Sequence, residues 1–388
     1  MVERAGAADG VRQRNLSTVL RLIHREGPQS RSQLTATTGL NRSTVAALAG
    51  ELVELGLAQE RAPAGTNRVG RPSPVVSADP GVTAIAVNPE VDAVTIAAVG
   101  FGGRVVVRER VEHESLVTPE QTAELTRSVI SRWQERELDG ARIVGVGLAV
   151  PGLVRASDGL VRLAPHLEWR DAPVRDLVAE TTGLPTAVGN DATLGAGAEH
   201  LFGAGRGVDD LVYLNGGASG IGGGLVVAGR AVAGASGYAG EFGQNRPGIM
   251  EAADRRADDG VLEDEVSRAR LLDVVGLHSA DEPTLAAAIA GSADPAVAAE
   301  VERQRRILAT ALSNAVNVLN PSVAILGGFL ATLAERDMEG LLSAVVEQVI
   351  PGAADELELR VAALGEDRLM IGAAEAAFAR LLAAPLGA

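Results

Sequence analysis

The chain reads as an α+β winged helix-turn-helix followed by a much longer α/β domain, and three observations predict this. Between Asn15 and Ala58 apolar residues recur at helical spacing, punctuated by turn residues. From Val82 the pattern changes to short apolar strands that later alternate with helical segments. The charge divides in the same way: residues 1–72 carry ten Arg against six Asp and Glu, a net +4, while the remainder carries 25 Arg against 44 acids, a net −19. An acidic body repels nucleic acid, so DNA contact is expected only in the first part, and it should be salt-sensitive.

Each element of the first part has its own signal. Leu16, Val19, Leu20 and Ile23 mark one face of a helix, which Gly27-Pro28 stops. Ser32 is the expected N-cap of a short second helix containing Leu34, and Gly39 supplies the left-handed turn that follows it. Asn41 is the expected N-cap of a third helix, whose buried stripe is Val45, Leu48, Leu52 and Leu55. Arg42, Ser43, Ala46 and Ala47 then face outward. With Asn41 and Thr44 of the same first turn they are the candidate base-reading residues of a recognition helix. Leu57–Arg61 reads as a strand, and Ala62 to Pro74 as a wing carrying Arg68 and Arg71, arginines slender enough to enter a minor groove. An interdomain linker is the alternative reading of that Gly/Pro-rich stretch.

Composition sets the remaining bounds. Without cysteine there are no disulfides, thiolate nucleophiles or Cys-ligated zinc. The first ten residues have no apolar core of a signal peptide and no apolar run is long enough to span a bilayer, so a soluble cytoplasmic protein with no membrane partner is expected. Two Trp, two Tyr and five Phe leave the core to Val, Leu, Ile and Ala.

The second part opens with three strands, Val82–Val87, Ala93–Val99 and Arg104–Val111, joined by Asn88-Pro89-Glu90 and Gly100–Gly103 into a meander. A helix over Pro119 to Leu138 and an apolar strand over Ile143–Val150 follow. Further on, Asp210–Asn215 and Gly224–Val227 bracket a glycine-rich turn, Ala296–Leu319 is a long helix, and Val323–Leu326 is a buried strand running into Gly327-Gly328.

Six stretches of this part, in order, carry a resemblance: Val150-Pro151-Gly152-Leu153-Val154, Ala164 to Trp169, Gly189-Asn190-Asp191-Ala192, Gly217 to Gly224, Ala239-Gly240-Glu241-Phe242-Gly243, and Ile325-Leu326-Gly327-Gly328. They resemble the ROK family of repressors, open reading frames and sugar kinases. The resemblance implies a two-lobed actin-like ATPase (ribonuclease H-like) sugar-kinase fold over residues 79–388 behind a winged helix-turn-helix over 1–78. Its lobes would be roughly 79–188 plus a C-terminal helix 370–388, and 189–369. A winged helix-turn-helix ending in Gly70-Arg71-Pro72 is how the family's repressor branch begins.

Departures from the family bear on chemistry. Kinases of the family manage ATP phosphate and magnesium with an Asp-x-Gly-Gly-Thr turn; here that turn reads Ala86-Val87-Asn88-Pro89-Glu90, with alanine for the carboxylate, a proline without an N–H, and an added negative charge. The second glycine-rich loop, Gly216 to Gly224, survives, yet it also reads as a tight strand-to-strand turn. The family's zinc site pairs a histidine with three cysteines. This chain has Gln244 at the histidine position and Asn245 to Glu251 in place of the cysteine run, so no metal, cofactor or catalytic residue is expected.

The sugar-binding residues are the part most nearly kept. Asn190 and Asp191 match the family's Asn-Asp pair, whose aspartate is the general base of the kinases; Glu241 matches a hydroxyl-binding carboxylate, and Glu251 another. Gln244 still offers hydrogen bonds to a sugar, and His166 stands where relatives often carry asparagine. Carboxylates and amides converging in a cleft suit vicinal hydroxyls. Asp191 also has a structural reading as the N-cap of Ala192–Leu201.

Two functions follow. One is a sugar-responsive DNA-binding regulator, a repressor of carbohydrate-related genes whose kinase-like domain senses without catalysis. The other is an ATP-dependent sugar kinase carrying a DNA-binding module. The altered Ala86–Glu90 turn favours the first, because phosphoryl transfer depends on electrostatic stabilisation. A third reading has a degenerate pocket answering to a protein partner. The expected partners are double-stranded DNA with an inverted-repeat operator, a sugar or sugar derivative, and further copies of the chain as a dimer or tetramer. Effector-driven lobe closure would then alter the spacing of paired recognition helices.

Overall fold

The computed structural model describes residues 2–62, 73–218, 220–249, 251–258 and 260–387. Most of the expected wing, including Arg68 and Arg71, lies outside the described residues.

The reader begins with a helix longer than its apolar signal. Helix α1 spans Val2–Arg25, and the buried face of Leu16, Val19, Leu20 and Ile23 occupies only its second half. Strand β1 (Gln29–Ser30) leads into α2 (Arg31–Thr38), whose cap is Ser30 and not Ser32. Ser30 Oγ accepts from Gln33 N while Gln33 Oε1 accepts from Ser30 N, a reciprocal capping box that Ser32, one turn position too late, has no geometry to make. Gly39 ends α2 at φ +68°, and Asn41 caps α3 (Arg42–Glu54) by accepting from Thr44 N at 2.8 Å. Val45, Leu48 and Leu52 are buried, whereas Leu55 lies just beyond the helix and is only half-buried. Strands β2 (Ala58–Arg61) and β3 (Val75–Ala78) complete an antiparallel sheet in the order β1-β3-β2.

A five-stranded sheet follows. Its strands are β4 (Val82–Pro89), β5 (Ala93–Gly100), β6 (Arg104–Glu112), β7 (Arg142–Val150) and β11 (Thr186–Asn190), ordered β11-β7-β4-β5-β6. The first three form the antiparallel meander, and β7 runs parallel to β4. Helix α4 (Pro119–Gln134) packs on β4, β5 and α5 (Val174–Thr182); it stops four residues before Leu138, which is buried in the turn that follows. Short strands β8 (Leu153–Val154), β9 (Val161–Ala164) and β10 (Trp169–Ala172) make a separate small sheet.

Helix α6 (Asp191–Phe202) precedes a second five-stranded sheet of β12 (Leu211–Gly217), β13 (Gly220–Val227), β14 (Arg230–Ala231), β15 (Val323–Gly328) and β16 (Glu358–Val361). Its order, β14-β13-β12-β15-β16, repeats that of the first sheet: an antiparallel meander at one edge and strands added beside the meander's first member. The apolar core on one face is built by α7 (Leu262–Glu265), α8 (Arg268–Val274), α9 (Glu282–Gly291), α10 (Pro295–Leu319), α11 (Phe329–Glu335) and α12 (Met338–Val346). Helix α13 (Arg368–Ala383) ends the fold. Contacts divide the chain into two compact units. One holds Met1–Ala149, Asp171–Gly189 and Ala373–Ala388, and the other holds Val150–Arg170 and Asn190–Gly372. No helix among the described residues is long and apolar enough to cross a membrane.

Two stretches expected as connections are strands. Asn88 and Pro89 continue β4, with Asn88 opposite Thr95 and Pro89 opposite Val94, so the reversal is only the tight turn after Pro89. The glycines of 216–224 likewise belong mostly to β12 and β13, which pair from Leu211↔Val226 to Gly217↔Gly220. Packing explains that glycine run: a Cβ on Gly222 would lie 2.5 Å from the Ala192 methyl, and one on Gly224 would collide with the Ala196 methyl. Helix α6 thus rests directly on the backbone of β13. Gly224→Ala should overpack this contact and cost about 1–3 kcal/mol. Gly50→Ala, in α3 with open space around it, should instead stabilise by about 0.4–1 kcal/mol. Urea midpoints of both variants against the parent check the opposite signs.

Candidate functional site

Asn190 and Asp191 stand where β11 turns into α6. Asn190, not Asp191, is the cap: its Oδ1 accepts from Thr193 N at 2.9 Å, as expected for the last extended residue before a helix. Its Nδ2 donates to the Gly152 carbonyl at 3.1 Å, tying the Pro151-Gly152 segment to the start of α6. Asp191, released from capping duty, accepts only from Ala192 N among the hydrogen bonds described here, at 2.8 Å. Burial pushes its carboxyl up to about 6, against the pull of that N–H and of the nearby Arg368 cation.

Glu241 belongs to the same cluster. It is half-buried, and its carboxyl is raised first by desolvation, then by Asp191 and Glu263. Glu263, on α7, was not singled out from sequence, where it sits within an acidic stretch. Its Oε2 accepts from Ile221 N at 3.1 Å and its Oε1 from Gln244 Nε2 at 2.6 Å. The signal was present: Leu262 and Val266 are apolar and flank Glu263, Asp264 and Glu265, so a helix burying those two must also draw acids inward. Gln244 is exposed and held by Glu263. His166 is exposed on the 3-10 turn Pro165–Leu167. Glu251 is exposed and lines a different cavity of about 300 Å³, with Ile249, Asp254, Arg306 and Gln348. The cluster is therefore Asn190, Asp191, Glu241 and Glu263, with Gln244 at its edge.

Neither a phosphate cradle nor a zinc cage fits the residues present. The backbone of Ala86 and Val87 pairs with β5 on one side and β7 on the other, which commits its N–H groups to ladders. Glu90 N donates to Ala93 O at 2.7 Å. Among the described residues no group of His, Asp and Glu is arranged to hold a metal. The segment that follows Gln244 is held by an ionic cluster instead. Arg303 Nη1 donates to the Asp254 carbonyl at 2.8 Å and to Glu265 Oε2 at 3.1 Å, and Nη2 to the Glu265 carbonyl at 2.7 Å. The Glu265 carboxylate in turn accepts from Arg256 N and Ala257 N, both at 3.0 Å, and Arg306 grips Asp254 through both carboxylate oxygens.

The candidate reading surface is the N-terminal face of α3. Asn41, Arg42, Ser43 and Ala47 are exposed and Thr44 half-buried, with Ser43 Oγ donating to Asn41 Oδ1 at 2.7 Å. Arg12 of α1 pairs with Glu51 of α3 at 2.9 Å.

The sequence profile of the ROK family matches residues 85–380. The chain belongs to the ROK family. A xylose repressor of Caldicellulosiruptor bescii is 27% identical over 97% of this chain and 98% of its own length. A glucokinase of Halalkalibacterium halodurans is 30% identical, but over 59% of this chain and 74% of its own. Among solved structures, a ROK family transcriptional regulator described as a homologue of the E. coli MLC protein covers 96% of this chain and 97% of its own at TM-score 0.76 and 23% identity. A Streptomyces griseus glucokinase solved with glucose and AMPPNP covers 76% and 98% at TM-score 0.58 and 23% identity. The fold is the actin-like sugar-kinase fold carrying an N-terminal helix-turn-helix, and the glucokinase structure matches only part of the chain.

Two expectations follow. Because the folded carboxyl of Asp191 titrates near 6 and an unfolded one near 4, the native state gives up stability as pH rises between these values and no more above them. Asp191→Asn should therefore match the parent near pH 4 and exceed it by about 1–3 kcal/mol at pH 7, read from denaturant curves across pH. Arg303→Ala leaves Glu265 buried without its cation and should cost about 3–5 kcal/mol in the same assay.

Proposed function

We propose that this chain is a sugar-responsive transcriptional repressor whose kinase-like part binds its effector without phosphorylating it. The observation that carries the reading is the full-length match to repressors named for a sugar, set beside kinases that match only part of the chain. Asn41, Arg42, Ser43, Thr44 and Ala47 are the proposed DNA contacts, with Arg68 and Arg71 of the wing reaching the flanks. Asn190, Asp191, Glu241 and Glu263 are the proposed effector contacts, where carboxylates and an amide gather around one helix start. Glu251, Gln244 and His166 are proposed as outer or accessory contacts, a reading their exposure supports.

Binding itself is the signal in this reading. A sugar that stabilises one conformation shifts the population toward it, by no more than its differential affinity for the two. In a homodimer the two recognition helices must match half-sites about one helical turn apart or a multiple of it, so a modest shift changes DNA affinity. One observation favours the kinase alternative: a carboxyl near pH 6 suits a general base. The β4 ladder, which occupies the backbone donors a phosphate would need, weighs against it.

The test is calorimetric titration of D-xylose and D-glucose beside a DNA-shift assay on the chain's own promoter region. Asp191→Ala and Glu241→Ala should each weaken sugar binding by roughly 10- to 150-fold, the loss of a charged hydrogen-bonding partner. Sugar-free DNA affinity should stay near the parent's. Arg42→Ala should relax sequence preference. ATP with either sugar should give no ADP; sugar-dependent ADP release that disappears in Asp191→Ala establishes the kinase instead.

A further inference from the structure

We infer that helix α13 couples the effector cluster to the DNA reader, with Arg368 at its start and the His24–Glu375 pair midway along it as positioning residues. This rests on the regulator reading above. Helix α13 starts in the second compact unit, as Arg368–Gly372, and continues without a break in the first, as Ala373–Ala383. Each part is held by contacts too close to slip.

Within the second unit, the contact is backbone on backbone. A Cβ on Gly372 would overlap the Leu194 carbonyl oxygen and lie 2.6 Å from its carbon, and Leu194 is in the first turn of α6, three residues after Asp191. Leu369 packs over Gly195 of the same helix. The Arg368 guanidinium stands near enough to Asp191 to favour its ionised form, lies close to the buried Tyr213, and donates through Nη1 to the Gly365 carbonyl at 2.8 Å. Its Nε is buried with no hydrogen-bond partner in the structure. A ligand that draws on Asp191 or shifts the start of α6 therefore acts on the first turn of α13.

Within the first unit, α13 meets the reader. A Cβ on Gly147 of β7 would overlap the Ala373 carbonyl, so the helix lies against the sheet backbone. Glu375 Oε1 then accepts from His24 Nε2 at 2.9 Å. His24 is fully buried, with its ring 5.2 Å from that of Phe101 and 5.8 Å from that of Phe378. Its Nδ1 accepts from Gly102 N at 3.1 Å, which places the ring hydrogen on Nε2, facing Glu375. Ser17 Oγ donates to the Leu382 carbonyl at 2.6 Å. Both Ser17 and His24 belong to α1, the helix whose Leu16, Val19, Leu20 and Ile23 carry the reader. A buried polar bond beside packed rings tolerates only discrete arrangements, which is what a switch element requires.

The experiment measures coupling rather than either affinity alone. Operator affinity is measured with and without D-xylose and D-glucose, and sugar affinity with and without operator, for the parent, Glu375→Ala and Glu375→Gln. By linkage the two ratios must agree, and a working switch gives roughly 5- to 150-fold. Glu375→Ala should bring both ratios below about 2-fold, while the sugar affinity of DNA-free protein and the DNA affinity of sugar-free protein stay within about 3-fold of the parent. Glu375→Gln keeps an acceptor for His24 and should retain most of the coupling. Should Glu375→Ala melt early, Ser17→Ala, which deletes one hydroxyl, is read in its place. Parent-like coupling in Glu375→Ala, or in Ser17→Ala when it is the one read, overturns the role of α13 and leaves the regulator reading standing. A parent protein whose DNA affinity ignores both sugars overturns the two together.

Discussion

Close approach of backbones around α6 and α13 is the constraint on which the rest of the molecule depends. Gly222 and Gly224 let α6 lie on β13, Gly372 lets α13 lie on α6, and Gly147 lets α13 lie on β7. At each place a methyl group would enter space already held by backbone or by an alanine. Protein interiors are packed as densely as organic crystals, so such contacts fix positions to within tenths of an ångström. Asn190 and Asp191, at the start of α6, are placed by these contacts before any ligand arrives.

The cluster around Asp191 shows how one fold separates holding from sensing. Asn190 takes the capping and the bond to Gly152, so the aspartate beside it stays free of structural work beyond a single N–H. Glu241 is partly desolvated, and the carboxylates of Asp191 and Glu263 stand near enough to raise the cost of charging it further. A neutral polyol can donate several hydroxyls to such a group of acceptors, whereas an anion would add to the repulsion.

Where relatives of the family use zinc, an arginine and a glutamate take over. Arg303 and Glu265 are almost fully buried, and the donors of Arg303 meet acceptors on Glu265, on the Glu300 carboxylate or on the surrounding backbone. Metal and ionic clusters solve the same problem, a loop too polar to be held by apolar packing. The ionic version requires both partners, since either alone would be a buried charge.

Much was legible in the residues themselves. Asn41 and Gly39 fixed the turn of the reader because cap and left-handed positions admit few residue types, and apolar periodicity fixed α10, β7 and β15. The departure of Ala86 to Glu90 from the family's phosphate turn was also readable, because Pro89 lacks an N–H and Glu90 adds negative charge. Local spacing did not decide between Ser30 and Ser32 as a cap, since both precede the same helix and only the reciprocal bond with Gln33 chooses. Nor did it reveal that the strand runs on through Asn88 and Pro89, because their pairing partners lie in β5. Glu263 beside Glu241, Arg303 beneath the loop and His24 against Glu375 arise from residues distant in sequence. Sequence alone determined which residue types were available, and the tertiary structure decided which of them would meet, because contacts between distant segments depend on packing that no local pattern encodes.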